Sequence, residues 1–124
     1  MNKTIKIGEK EFTMKSSAYT LLSYKEQTGR ELISDIGLMQ EQVGDDGEIN
    51  YKGFSNIIGC ALDMAYVMAS EYDGSIGSKV DWLKGLESLE GTWVNDVLAL
   101  AMSVFQGRLS ENEQDSKRET DVNL

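Results

Sequence analysis

The stretch YKGFSNIIGCALDMAYVMASEY, Tyr51 to Tyr72, decides the fold. Within it Phe54, Ile57, Ile58, Ala61, Leu62, Ala65, Met68 and Tyr72 recur at steps of three and four, the period of an α-helix with one wide apolar stripe. Met64 and Val67 widen the stripe. The spacing therefore predicts a central helix covered by neighbours on more than one side.

Working outward, a chain of 124 residues, 40% of them hydrophobic, suits one domain with a modest core. It contains no uninterrupted apolar run long enough for a membrane span. The opening MNKTIKIGEKEF lacks the apolar segment of a secretory signal, so none is expected. The single cysteine, Cys60, can form no internal disulfide, in keeping with a reducing cytoplasm. A net charge of −9, with lysines and arginines interspersed among acids, argues against a nucleic-acid partner. With no histidine, Ser-His-Asp and Cys-His catalysis and the commonest zinc sites are excluded. With no proline, helices must end at glycines, caps or polar residues.

Upstream of the central helix, Thr4 to Met14 predicts a β-hairpin. Ile5 and Ile7, then Phe12 and Met14, alternate with polar residues, and a two-residue turn at Gly8-Glu9 places Ile5 opposite Phe12. Ser16 or Ser17 caps a helix over Ala18 to Thr28 that stops at Gly29. Ala18, Leu21 and Leu22 are its expected buried side, with Tyr19 and Tyr24 half-buried. A second helix, about Glu31 to Gln42, carries the narrow seam Leu32, Ile36, Met39 and Val43, weakened at Gly37. Gly44 to Gly47 is a polar break.

Downstream, DGSIGSK, Asp73 to Lys79, is a loop, and Ser78 with Asp81 forms a capping pair for a short helix over Val80 to Leu89. Val80, Leu83 and Leu86 mark one side of it. Thr92 caps a last helix, Trp93 to Gln106, with the stripe Val94, Val97, Leu98, Ala101, Val104 and Phe105, ended by Gly107. The expectation is a mainly α-helical domain over residues 1–109, with about five helices and an N-terminal hairpin. A disordered acidic tail follows over 110–124.

No constellation carries chemistry. Neither Asp46-Gly47 nor Asp73-Gly74 has the alternating oxygen ligands of an EF-hand loop. Gly74 to Lys79 lacks the phosphate-loop spacing, Cys60 reads as a small buried hydrophobe, and the pairs Glu87/Glu90 and Glu9/Glu11 read as solvated. No catalytic residue, cofactor or metal is expected. Met39, Met64, Met68 and Met102 fit either a core or an adaptable binding surface, and Trp82 and Trp93 fit either a core or an interface anchor.

Thr4 to Ile36 resembles the opening of the tail assembly chaperones of long-tailed phages and prophages of Gram-positive bacteria. The similar features are Ile5, Ile7, Gly8, Lys10 and Phe12 of the hairpin, and Ala18, Tyr19, Leu21, Leu22, Tyr24, Lys25 and Glu26 of the first helix. Gly29 and Asp35-Ile36 follow, then Trp82-Leu83 and a closing helix from Trp93 to Phe105. The resemblance implies a non-enzymatic morphogenesis protein in the cytoplasm of the bacterial host, absent from the mature virion. Such a protein binds the tape measure protein and helps recruit tail tube subunits. The alternative is another phage or prophage adaptor, such as a head-tail connector component. Leu32, Ile36, Met39, Val43, Trp82 and Trp93 are the candidate partner contacts. The hairpin edge or the second helix is the candidate contact for a homo-oligomer.

Overall fold

The computed structural model describes residues 1–42 and 54–105. Its elements run β1 (Asn2–Ile7), β2 (Lys10–Lys15), α1 (Ala18–Thr28), α2 (Leu32–Gln42), α3 (Phe54–Tyr72), α4 (Lys79–Lys84) and α5 (93–105). This is a mainly helical domain with an N-terminal antiparallel hairpin. Val43, the polar break at 44–47, the expected helix start at 51–53, Gly107 and the tail from Ser110 lie outside the described residues. Among the described residues no helix is long and apolar enough to cross a membrane.

The hairpin follows the alternation of its sequence. Ile5 pairs with Phe12 and Ile7 with Lys10, so Gly8 and Glu9 are the turn, and Gly8 takes the left-handed φ of +62° that favours glycine. Met1 and Ser16 exchange backbone bonds at 2.8 Å and extend the ladder by one rung. Residues 1, 3, 5 and 7 thus bond inward to β2. The peptide groups of Asn2, Thr4 and Lys6 point away from it. Ile5, Ile7 and Met14 are buried beneath the sheet, while the Thr4 and Thr13 hydroxyls bond each other on the outer face at 2.9 Å. At the tip, Gly8 donates to the Glu90 carbonyl at 3.0 Å, and a Cβ on Gly8 would lie 2.4 Å from the Ser88 carbonyl oxygen.

α3 is the central element, packed against β2, α1 and α2. Ile57, Cys60, Ala61, Met64, Ala65, Val67, Met68 and Ala69 are buried along it, as a stripe wider than one face requires. Tyr72, expected on that stripe, is exposed where the helix runs out. α5 contributes Trp93, Val94, Val97, Leu98, Leu100 and Ala101 to the same core.

α4 is shorter than the spacing predicts. Ser78 caps it, accepting from the Asp81 amide, but Gly85 closes it after Lys84 and residues 86–90 run without regular structure along the hairpin tip. Its inward residue is Trp82, not Val80, which is exposed. The Trp82 ring packs against Phe12 at 5.1 Å and Tyr66 at 5.7 Å, so aromatic contacts set the rotation of this single-turn helix.

Two glycines sit in helix interiors with open space where a Cβ would be, Gly37 in α2 and Gly59 in α3. Replacing either with alanine is expected to raise stability by roughly 0.5–1 kcal/mol. Gly8→Ala is expected to lower it by about 2 kcal/mol or more, because strained φ and collision with the Ser88 carbonyl combine. Urea denaturation of the three variants checks both signs.

Candidate functional site

α1 begins as its sequence dictates. Ser17 is the N-cap, its hydroxyl accepting from the Tyr19 amide while Thr20 Oγ1 accepts from the Ser17 amide, and Gly29 closes the helix at φ +76°. The face it turns inward reverses the expectation. Thr20, Ser23 and Tyr24 are buried, whereas Ala18, Leu21 and Leu22 are exposed, Leu22 at 54%. Tyr19 and Tyr24, both expected half-buried, separate to 55% and 0%.

The physical reason lies on α2 and α3. The Ser17 and Thr20 hydroxyls donate to the two oxygens of Glu71, Thr20 at 2.6 Å, which sets a carboxylate against the positive end of α1. One helical turn and more along, the Tyr24 hydroxyl donates to Asp35 Oδ2 at 2.5 Å. Asp35 sits on the inner side of α2 with its side chain only 8% exposed. A buried carboxylate needs partners, and the 29–31 turn supplies one. Arg30 Nε donates to Asp35 Oδ2 at 2.8 Å, while its Nη2 donates to Asp63 Oδ2 at 2.6 Å and to the Tyr24 oxygen at 3.3 Å. Lys79, in the first turn of α4, donates to the other Asp63 oxygen at 2.8 Å.

Two cations thus close on two carboxylates, and one network ties α1, α2, α3 and α4 together. Burial, reinforced by the Asp35 bond, pushes the Tyr24 hydroxyl well above its ordinary range. The Asp63 and Asp35 bonds raise Arg30 and hold it charged. Burial, followed by the Asp35 charge, raises the Cys60 thiol, so it stays protonated and unreactive. These groups satisfy one another and leave no open position for a reacting atom. Among the described residues no cluster of acidic and cysteine side chains is placed to hold a metal ion.

What the network leaves outside is apolar. Ala18, Tyr19, Leu21 and Leu22 form a patch a little over one turn long on the outward side of α1, with Lys25 and Glu26 at its C-terminal margin. A second apolar surface is the groove of about 260 Å³ between α2 and α5, lined by Ile33, Ile36, Gly37, Gln40, Met102 and Phe105.

The candidate partner contacts mostly go elsewhere. Leu32, Ile36, Met39, Trp82 and Trp93 are buried in the core, so their side chains offer a partner almost no area. Ile36 borders the groove between α2 and α5, and Val43 lies outside the described residues. The cause for α2 is simple: the helix packs against α3, and Leu32, Ile36 and Met39 of its seam are core residues inside the molecule. Trp93 is anchored internally too, its Nε1 donating to the Leu89 carbonyl at 2.8 Å. Met39, Met64 and Met68 are core, and Met102 reaches the groove.

Sequence reasoning did not foresee that Tyr24, Arg30, Asp35, Asp63 and Glu71 hold the helices together by hydrogen bonds and ion pairs. A signal existed: Asp63 and Glu71 are the only charges in the nineteen residues of α3, and both anchor other helices. Comparison with family models, curated proteins and solved structures gives no match for the chain.

Arg30→Met is expected to cost roughly 3 kcal/mol, because it leaves buried Asp35 without its cation. Tyr24→Phe is expected to cost about 1–2 kcal/mol at neutral pH through the lost hydroxyl bonds. It also changes the alkaline limb. The folded protein holds this proton above the unfolded chain's value of about 10, so its contribution is complete below that pH and is lost as pH rises beyond it. Stability measured against pH should fall less steeply above pH ~10 in the variant, by up to about 1.4 kcal/mol per unit.

Proposed function

We propose that this chain is a non-catalytic binding protein of the phage tail assembly chaperone kind, which holds an apolar helical stripe of a tape measure protein and helps bring tail tube subunits to it. The observation that carries the reading is the setting of α1, with polar side chains locked inward and Ala18, Tyr19, Leu21 and Leu22 turned to solvent. A fold that had only to bury apolar area would rotate this helix the other way. Keeping leucines outside at the expense of core area makes sense where those leucines meet another protein.

The same helix carries much of the resemblance to the chaperones, in Ala18, Tyr19, Leu21, Leu22, Tyr24, Lys25 and Glu26. The patch suits a helical partner. Small Ala18 among larger neighbours makes a ridge-and-groove surface a little over one turn long. The absence of histidine and the mutual saturation of Arg30, Lys79, Asp35 and Asp63 favour binding over bond-making.

The test is co-purification with the cognate tape measure and tube proteins. The tape measure protein is expected to be retained, and Leu22→Glu is expected to weaken retention by roughly thirtyfold. Because Leu22 lies outside the core, the thermal midpoint should move little. Retention of neither protein would end the chaperone reading. Detection of the chain in purified particles by mass spectrometry would favour a resident connector instead.

A further inference from the structure

The two tryptophans differ in how their indole N–H groups are met. Trp93 Nε1 donates to the Leu89 carbonyl, whereas Trp82 Nε1 is buried with no acceptor among the described residues. A buried donor left unbonded favours any arrangement that returns it to water. The chain around Trp82 allows one. Residues 77–85, which contain α4, begin at Gly77, at φ +89°, and end at Gly85. Among the described residues, the backbone bonds of residues 78–85 stay within residues 78–86. Both flanks are tied to the body instead. The Asp73 amide continues α3 by bonding the Ala69 carbonyl, and the Leu89 and Glu90 carbonyls accept from the Trp93 indole and the Gly8 amide.

We infer that residues 77–85 are a strap that opens from the domain while the rest stays folded, with Trp82 as its latch. What holds it shut is a short set of side-chain contacts. The Tyr66 hydroxyl donates to the Gly77 carbonyl at 2.6 Å, and Lys79 donates to Asp63 at 2.8 Å. Trp82 lies against the rings of Phe12 and Tyr66, and Leu83 packs beside it on the core. Val80, one of its remaining apolar side chains, is already 57% exposed and gains nothing from closure. A segment with few buried contacts and only local backbone bonds opens at a lower free energy than the core. Opening hydrates the Trp82 N–H and uncovers the aromatic faces of Phe12 and Tyr66. It takes Lys79 from Asp63 but leaves Arg30 bonded there, so the joint between α1, α2 and α3 persists. The strap is separate from the outward face of α1 and stands whether or not that face binds a tape measure protein.

The strap is tested by hydrogen exchange of the two indole protons in the full chain, followed by NMR, with Trp82→Phe assigning the resonances. The Trp82 proton is expected to exchange at least roughly tenfold faster than that of Trp93. Urea below the unfolding transition should scarcely change the Trp82 rate, because a local opening exposes little surface, and should raise the Trp93 rate. Lys79→Met and Tyr66→Phe each remove one tether, and Tyr66→Phe keeps the ring that meets Trp82. Each is expected to speed Trp82 exchange by roughly threefold and to leave Trp93 unchanged. One shared rate and urea dependence for both indoles would mean that Trp82 is released only by global unfolding, and would overturn the proposal. So would equal acceleration of both protons in the variants, or no response of Trp82 to either variant.

Discussion

A carboxylate withdrawn from water between helices must be met by a cation and by hydrogen-bond donors, and Asp35 imposes that requirement on everything around it. Its nearest answers come from the preceding fifteen residues. Tyr24 must point into the domain to reach it, and Arg30 must fold back across the α1–α2 turn. Once Arg30 is placed there, its remaining nitrogen reaches Asp63 on the central helix, and Asp63 in turn draws in Lys79 at the start of α4. One buried charge therefore fixes how four helices sit together.

Glu71 applies a related constraint at the other end of α1, by collecting the Ser17 and Thr20 hydroxyls. The helix is pinned at both ends along one side, and the pinned side is polar. Its leucines are left facing outward as the geometric remainder. The arrangement gives up apolar burial for directional bonds, and directional bonds define a rotation more sharply than non-directional packing does.

The parts of this fold that were legible in the sequence are those that depend on near neighbours. The hairpin register follows from alternation about Gly8-Glu9, the limits of α1 from Ser17 and Gly29, and the centrality of α3 from its period. What was not legible depends on residues far away in the chain. The inward face of α1 is chosen by Asp35, Asp63 and Glu71, against its own apolar pattern, and no local rule contains them. The rotation of α4 follows from Phe12 and Tyr66, which lie outside it. The α2 seam was read correctly as a packing surface, but periodicity does not say whether the surface packed against is the protein's own. Here it is α3, so Leu32, Ile36 and Met39, nominated for a partner, became core.

The bond from Gly8 to Glu90, and another from Ser16 Oγ to Ser103 Oγ at 2.8 Å, join the hairpin and the residue that follows it to nearly the last residues that the structure describes. During translation the hairpin is made before its seat against residues 88–90 and α5 exists. An isolated two-stranded hairpin is marginal in water, so its apolar side, Ile5, Ile7 and Met14, must wait. At roughly 5–20 residues per second that interval is on the order of several seconds, long compared with the microseconds a hairpin needs to form. The nascent chain thus passes through a window in which its most β-prone segment is made but unsheltered, and the domain closes only when its two ends meet.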